Sequence, residues 1–457
     1  MKQSPSTFSR RELLRSASAG FGYLALAGIA AENAARAAAS PLALKSGHFP
    51  ATAKRVIFLC MRGGPSHMET FDPKPELLRQ NGKTARRPTS KLLGSRWKFR
   101  AHGQSGIEIV ELMPHLGKHA DKLCVLRGMH TDSENHPQAL EQLHTGSFQF
   151  VRPSMGAWSV YGLGTENASL PGFISINPLT ALGGARYYAS AFLPAACSAT
   201  MLGNASQPAA PRTMGNINNP LLTSAAQREQ LDLLQSMNRN MLAQTADPRV
   251  EGLIESYELA FRMQGEMPRV MDLSGESKAT LKLYGADQSP TETFGKQCLM
   301  ARRFAEAGAR FIEISHSEWD LHGFLTSGMV RNCSQIDKPI AGLLQDLAQR
   351  GLLEDTLVLW GGEFGRTPDD ASTDGRGHNN AGYSMWMAGG GVKAGHIHGA
   401  TDELGYEAVD GKVHTHDLHA TILHLLGLDH ERLTYRHGGR DYRLTDVKGR
   451  VVKEILA

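Results

Sequence analysis

The chain of 457 residues is too long for one small module; at about 100–200 residues per domain it allows several domains, or one large α/β domain with insertions. Hydrophobic residues make up 41% and charged residues 21%, a globular composition that excludes a disordered tail. The net charge is +4, but the first 39 residues hold five basic and two acidic residues, so the remainder is nearly neutral, which excludes a general phosphate-backbone binder.

Ser9-Arg10-Arg11-Glu12-Leu13-Leu14-Arg15 opens a weakly apolar run from Ala17 to Ala31, too short to span ~30 Å of hydrocarbon. Ala-rich steps follow, with cleavage expected after Ala37 or Ala39. Paired arginines before a modest apolar region resemble a twin-arginine export signal. Residues 1–39 are therefore expected to be a signal peptide, and 40–457 an exported, periplasmic domain. The export machinery is an expected partner; nucleic acid and stable membrane insertion are not. Five cysteines without a C-x-x-C pair argue against a thiol metal site and leave one disulfide open.

Lys54 to Met61 reads as a buried strand that empties into Arg62-Gly63-Gly64-Pro65-Ser66-His67. Leu123 to Arg127 is a second strand, followed by the polar stretch to His136, and Phe173 to Asn177 is another. Arg310 to Ser315 ends in His316-Ser317-Glu318-Trp319-Asp320-Leu321-His322; Thr356 to Trp360 ends in Gly361-Gly362-Glu363-Phe364-Gly365-Arg366. Tyr383 to Ala388 is followed by Gly389-Gly390-Gly391. Helical spacing falls at about 112–121, 137–146, 292–308, 334–351 and 416–427. The alternation predicts an α/β fold with a mostly parallel sheet covered on both faces. In such sheets ligands sit at the carboxyl ends of strands, where these loops collect His, Asp, Glu, Arg and Gly.

Residues 178–290 form a long insertion, with helices predicted near 224–245 and 249–265 on either side of Asp247-Pro248. Within it, 183–219 carries Arg186, Tyr187, Tyr188 and Phe192 and is expected to be a lid that selects the substrate.

Asp320 and His322, at i and i+2, share one face of an extended segment and can grip one ion. Carboxylate plus imidazole suits Zn, Mn or a similar divalent metal. Glu363, beyond an apolar strand, and His378, in a Gly-rich loop, are candidate further ligands. Arg366 can pair with an oxyanion. His67 and His136 are candidate nucleophiles or bases. Asn135, beside a helix start, and Ser66 are candidate anion-binding residues. Nine of the 19 histidines fall between His378 and His437, and His416, His419 and His424 lie on a packing helix.

The strand followed by Gly63-Gly64-Pro65-Ser66-His67, together with Trp319-Asp320-Leu321-His322-Gly323, Glu363-Phe364-Gly365-Arg366-Thr367-Pro368, Gly375-Arg376-Gly377-His378 and the segment Asp417 to Asp429, resembles a family of twin-arginine-exported, sulfatase-like bacterial proteins. That family looks like a distant branch of the alkaline phosphatase and sulfatase superfamily. The resemblance implies an alkaline phosphatase-like fold and metal-dependent hydrolysis of a sulfate or phosphate ester, on a small molecule or glycan. It implies a divalent metal (Zn, Mn or Ca) on Asp320, His322, Glu363 and His378, with His136 in the nucleophile's place. It also implies an Asp after the first strand, where Met61-Arg62-Gly63 stands, and an Asp at Gly377. These departures support an alternative: a non-catalytic exported binding protein for anionic glycans or surface polymers.

Overall fold

A nine-stranded sheet runs through the computed structural model, which describes residues 41–178, 184–203, 217, 219–245, 247–370 and 374–457. Its strands are β1 (Arg55–Met61), β2 (Leu123–His130), β3 (Phe173–Ile176), β4 (Thr200–Leu202), β5 (Phe311–His316), β6 (Thr356–Gly361), β7 (Tyr383–Ala388), β8 (His396–His398) and β9 (Val413–His414). From one edge the order is β8-β2-β7-β6-β1-β5-β3-β4, with β9 beside β2. Only β7 runs against its neighbours in this sheet; the other pairings are parallel. The fold is the mixed α/β class that the alternation predicted.

Every residue of β1 is buried. An apolar run of this kind needs cover on both faces. Seven helices matter for that cover and for the site: α1 (His136–Thr145), α2 (Met155–Leu163), α3 (Ser224–Thr245), α4 (Pro248–Met271), α5 (Glu292–Glu306), α6 (Leu325–Gln349) and α7 (Thr415–Leu425). Side chains alternate across a strand, so Phe58 and Cys60 share a face with Glu313 and Ser315, their register partners on β5. That face meets α1: the Phe58 and His144 rings are 6.1 Å apart. On the opposite face, Phe294 of α5 packs 5.3 Å from the His316 ring.

Helix α1 is tied down at its far end by α7. His416 Nε2 donates to Gly146 O at 2.8 Å, and His419 Nε2 to Leu143 O at 2.7 Å. These carbonyls have no partner within the helix, so the two histidines satisfy them and fix the helix axis. Asp247 caps α4 by accepting from Arg249 N–H at 2.9 Å.

Three expectations change. The helix expected at 112–121 is two short turns, Pro114–Gly117 and Ala120–Lys122. Helix α6 begins at Leu325, nine residues earlier than predicted, because Thr326, Ser327 and Gly328 are weak helix formers that masked its start. No disulfide forms: all five cysteines are free and buried. The export signal and much of 183–219 lie outside the described residues. Among the described residues no helix is long and apolar enough to cross a membrane.

Candidate functional site

Four loops meet at the carboxyl ends of β2, β5 and β6 and the amino end of β7. The loop after β2 ends in His136 at the start of α1; the loop after β5 carries Asp320 and His322. The turn after β6 carries Glu363 to Arg366, and the segment before β7 carries His378. Because β7 is antiparallel, Gly389 to Gly391 sit at the opposite end, where Gly389 closes on Leu353 O and Thr356 O. The glycines therefore do not line the site, contrary to the expectation that they join the other loops at the strands' carboxyl ends.

His136, Asp320 and His378 each point one ligand atom into a common space, with these atoms within 4.8 Å of one another. His136 Nε2 stands 3.2 Å from Asp320 Oδ1, yet this buried nitrogen has no hydrogen-bond partner. His378 Nε2 is 3.4 Å from the same oxygen and 2.8 Å from His322 Nε2, which itself lies 3.2 Å from Asp320 Oδ1. His378 Nδ1 meets Glu134 O at 2.7 Å; a carbonyl only accepts, so Nδ1 carries the hydrogen and Nε2 presents a lone pair. His136 Nδ1 donates to Glu363 Oε1 at 2.5 Å, so Nε2 is the ring nitrogen that faces Asp320 and that an ion would take once its proton is lost. Two ring nitrogens and a carboxylate oxygen thus converge, a donor set that can hold a cation.

The fields agree with that geometry. Burial alone would lower the His136 ring, but the Asp320 and Glu363 carboxylates outweigh it and push it up to about 9. Burial works against the Asp320 charge too, but His136, His378 and Arg366 hold its carboxyl well below the usual carboxylate range. The Phe364 ring packs 4.6 Å from His136 and 4.8 Å from His378, an apolar wall on one side.

The structure redistributes the remaining candidates. Glu363, expected as a ligand, is fully buried; it accepts from the Gly63 N–H (2.9 and 3.2 Å) as well as from His136. It orients a ring from behind. Gly63, at φ 110°, makes this contact possible: a Cβ there would lie 2.4 Å from Asp320 N. Arg366, expected to meet an oxyanion, is buried and consumed: it donates to Asp320 Oδ1 at 2.7 Å, Gly64 O at 2.9 Å and Gly63 O. It locks the Asp320 loop to the β1 loop. His67 is buried away from the cluster, with Nε2 on Gly405 O at 3.0 Å, and burial pushes its ring down to about 4. Ser66 is buried and donates to Glu69, which pairs with Arg376 at 2.6 Å. Asn135 is exposed at the α1 start, and its side chain makes no cap.

Tyr187 and Tyr188 are buried against α1, with Tyr187 OH on Pro137 O at 3.2 Å, so they brace the helix and do not form an aromatic surface. Phe192 stacks on Tyr435 and His437. Sequence reasoning missed the Glu134 carbonyl and the Gly63 amide, which are backbone groups without a side-chain signature. A second group, Asp132, His414 and His416, also converges. His414 Nε2 meets Asp132 and its Nδ1 accepts from the His416 amide; His416 Nε2 donates to Gly146 O, and its Nδ1 faces His414 Nδ1 at 2.9 Å.

Several solved structures resemble the chain at low identity. The PsFucS1 sulfatase from Pseudoalteromonas sp. is 13% identical over 89% of this chain and 72% of its own, with a TM-score of 0.38. The lipoteichoic acid synthase LtaP from Listeria monocytogenes is 10% identical over 90% and 79%, with a TM-score of 0.37. The alkaline phosphatase from the Antarctic bacterium TAB5 is 9% identical over 82% and 98%, with a TM-score of 0.30. No curated protein matches the chain. A family model matches residues 53–456, nearly the whole described chain, and on that match the chain belongs to the family described as "Protein of unknown function (DUF1501)".

Proposed function

We propose that the chain is a metal-dependent hydrolase acting on a sulfate or phosphate ester. The observation that carries this reading is the convergence of His136 Nε2, His378 Nε2 and Asp320 Oδ1, with the other nitrogen of each ring committed to Glu363 or Glu134 O. The donor set fits a divalent ion, and its imidazole content favours Zn or Mn over Ca. His136, Asp320 and His378 would hold the ion, with His322 beside them. Such an ion supplies Lewis acidity, which polarises the ester and acidifies water.

The chain's own residues do the rest. Glu363 keeps the His136 lone pair aimed inward. Arg366 fixes the Asp320 carboxylate while its own charge offsets that of the acid. His322, the most exposed of the cluster at 53% of its side chain, can move a proton between solvent and the reacting group. With His136 in the cluster and His67 buried, water is taken as the attacking group.

Glu363→Gln is expected to lower Mn²⁺ affinity about 10- to 100-fold, the usual cost of losing a carboxylate that orients a ligating His; equilibrium dialysis reads it. The reaction is tested with chromogenic sulfate esters and phosphate mono- and diesters on protein loaded with Zn²⁺ or Mn²⁺. Turnover that disappears in Asp320→Ala supports the reading. Metal bound at the site without turnover of any ester supports the second reading, a binding protein for anionic glycans, which the commitment of Arg366 and His67 elsewhere favours. The paired arginines Arg10-Arg11 support export of the mature domain, and cell fractionation with Arg10→Lys/Arg11→Lys tests it.

A further inference from the structure

Arg62 follows β1 directly, and its backbone stays in the sheet: its N–H donates to His316 O at 2.8 Å, and its carbonyl accepts from Trp319 N–H at 3.2 Å. Its side chain continues the alternation that sends Phe58 and Cys60 toward α1. The residue is only 7% exposed, and its Nε is shut away without a hydrogen-bond partner. Among the described residues its guanidinium makes no hydrogen bond or ion pair. The other buried arginines are all paired: Arg55 with Asp355, Arg302 with Glu276, Arg310 with Glu166, Arg366 with Asp320 and Arg376 with Glu69. Glu313 and Glu363 act on the same neighbours as Arg62 but do not pair with it, and a buried cation without an ion pair or hydrogen bond is costly. Arg62 is therefore matched to an anion that comes and goes.

Its surroundings say where that anion would sit. The Arg62 charge acts on Cys60, Tyr187 and His316. Tyr187 in turn holds the first turn of α1 through Pro137 O. By strand alternation Arg62 points to the face that α1 covers, at the end of β1 and one residue from Gly63, which backs onto the Asp320 amide. The start of α1 has no side-chain cap; Pro137 has no N–H and the Ala139 N–H is taken by Asn135 O, so the His136 and Gln138 N–H groups are the ones an anion would meet.

We propose that Arg62 and the amide end of α1 form the oxyanion pocket for a tetrahedral ester group, sulfate or phosphate, beside the His136–Asp320–His378 cluster. This rests on the hydrolase reading and names the residue that recognises the substrate's charge. The test is calorimetric titration of the full mature chain with inorganic sulfate and, separately, inorganic phosphate, both Mn²⁺-loaded and after EDTA. The parent should bind at least one anion, and the preferred one identifies the ester class. Arg62→Met should weaken that binding about 10- to 100-fold, with Mn²⁺ uptake unchanged, and Arg62→Lys should fall between, since it keeps the charge but loses the fork. If Arg62→Met does not fold, Arg62→Gln replaces it. Equal anion binding by parent and variant overturns the proposal, as does a parent that binds neither anion at millimolar concentration. A protein that takes up no Mn²⁺ but loses anion binding with Arg62 in the EDTA arm keeps this pocket while sinking the metal reading.

Discussion

Asp320→Ala combined with His378→Ala is expected to abolish stoichiometric uptake of Zn²⁺ or Mn²⁺ and to lower ester turnover by about 10³-fold or more. That is the scale on which loss of a group facing transition-state charge acts. The pair is chosen because Asp320 Oδ1 is the one oxygen that His136, His322, His378 and Arg366 all approach within 3.4 Å. Removing it leaves the Arg366 guanidinium without its carboxylate, so the folded state is checked by circular dichroism. Proton competition gives the same reading a second signature. An ion needs the His136 Nε2 lone pair, and in the ion-free site that ring keeps its proton up to about 9. Apparent affinity should therefore rise with pH, by about tenfold per unit between pH 7 and 9, then level off above the folded pKa. A flat profile from dialysis over that range would exclude His136 as a ligand.

The second large effect lies in the core. His144→Leu is expected to lower stability by about 3–5 kcal/mol, because it strands a buried carboxylate. His144 Nε2 meets Glu313 Oε1 at 3.1 Å, with both side chains nearly inaccessible, and Glu313 Oε2 has no partner. Burial opposes the charge on His144, but Glu313 outweighs it and holds the ring above its ordinary value. A histidine raised in this way contributes stability that is complete below its unfolded pKa of about 6.5 and fades as pH rises through the folded value. Urea unfolding of the single variant measures the loss. Combining His144→Leu with Glu313→Met should recover most of it, since an apolar pair of similar volume replaces the ions. A single variant that costs under about 1 kcal/mol would mean the pair is not ionised.

How much of this was legible in the chain depends on the kind of signal. β1 and β6 were readable because an unbroken apolar, β-branched run has few other uses. Helices α3 and α4 were readable from the Asp247-Pro248 break between them. Asp320, His322, His378 and His136 stood out as chemistry-bearing residues beside strand ends, and the fold brings them together. What the sequence left open was each residue's partners in the fold. Glu363 and Arg366 carry the same functional groups whether they face a substrate or a backbone carbonyl, and only packing decides. His67 and Ser66 look like loop residues in sequence, yet Thr70, Asp72 and Gly405 bury them. The direction of β7 was invisible too, because a short buried strand reads alike in both senses; its reversal delivers His378 to the site and removes Gly389 from it.

The central claim is that His136, Asp320 and His378 hold one divalent ion. The most direct measurement is a crystal structure of the full mature chain grown with Mn²⁺, with anomalous difference maps collected at the Mn edge. The account predicts one strong peak bonded to His136 Nε2, His378 Nε2 and Asp320, with Glu363 still on His136 Nδ1. An empty site at millimolar Mn²⁺, or a peak only at Asp132, His414 and His416, would contradict it.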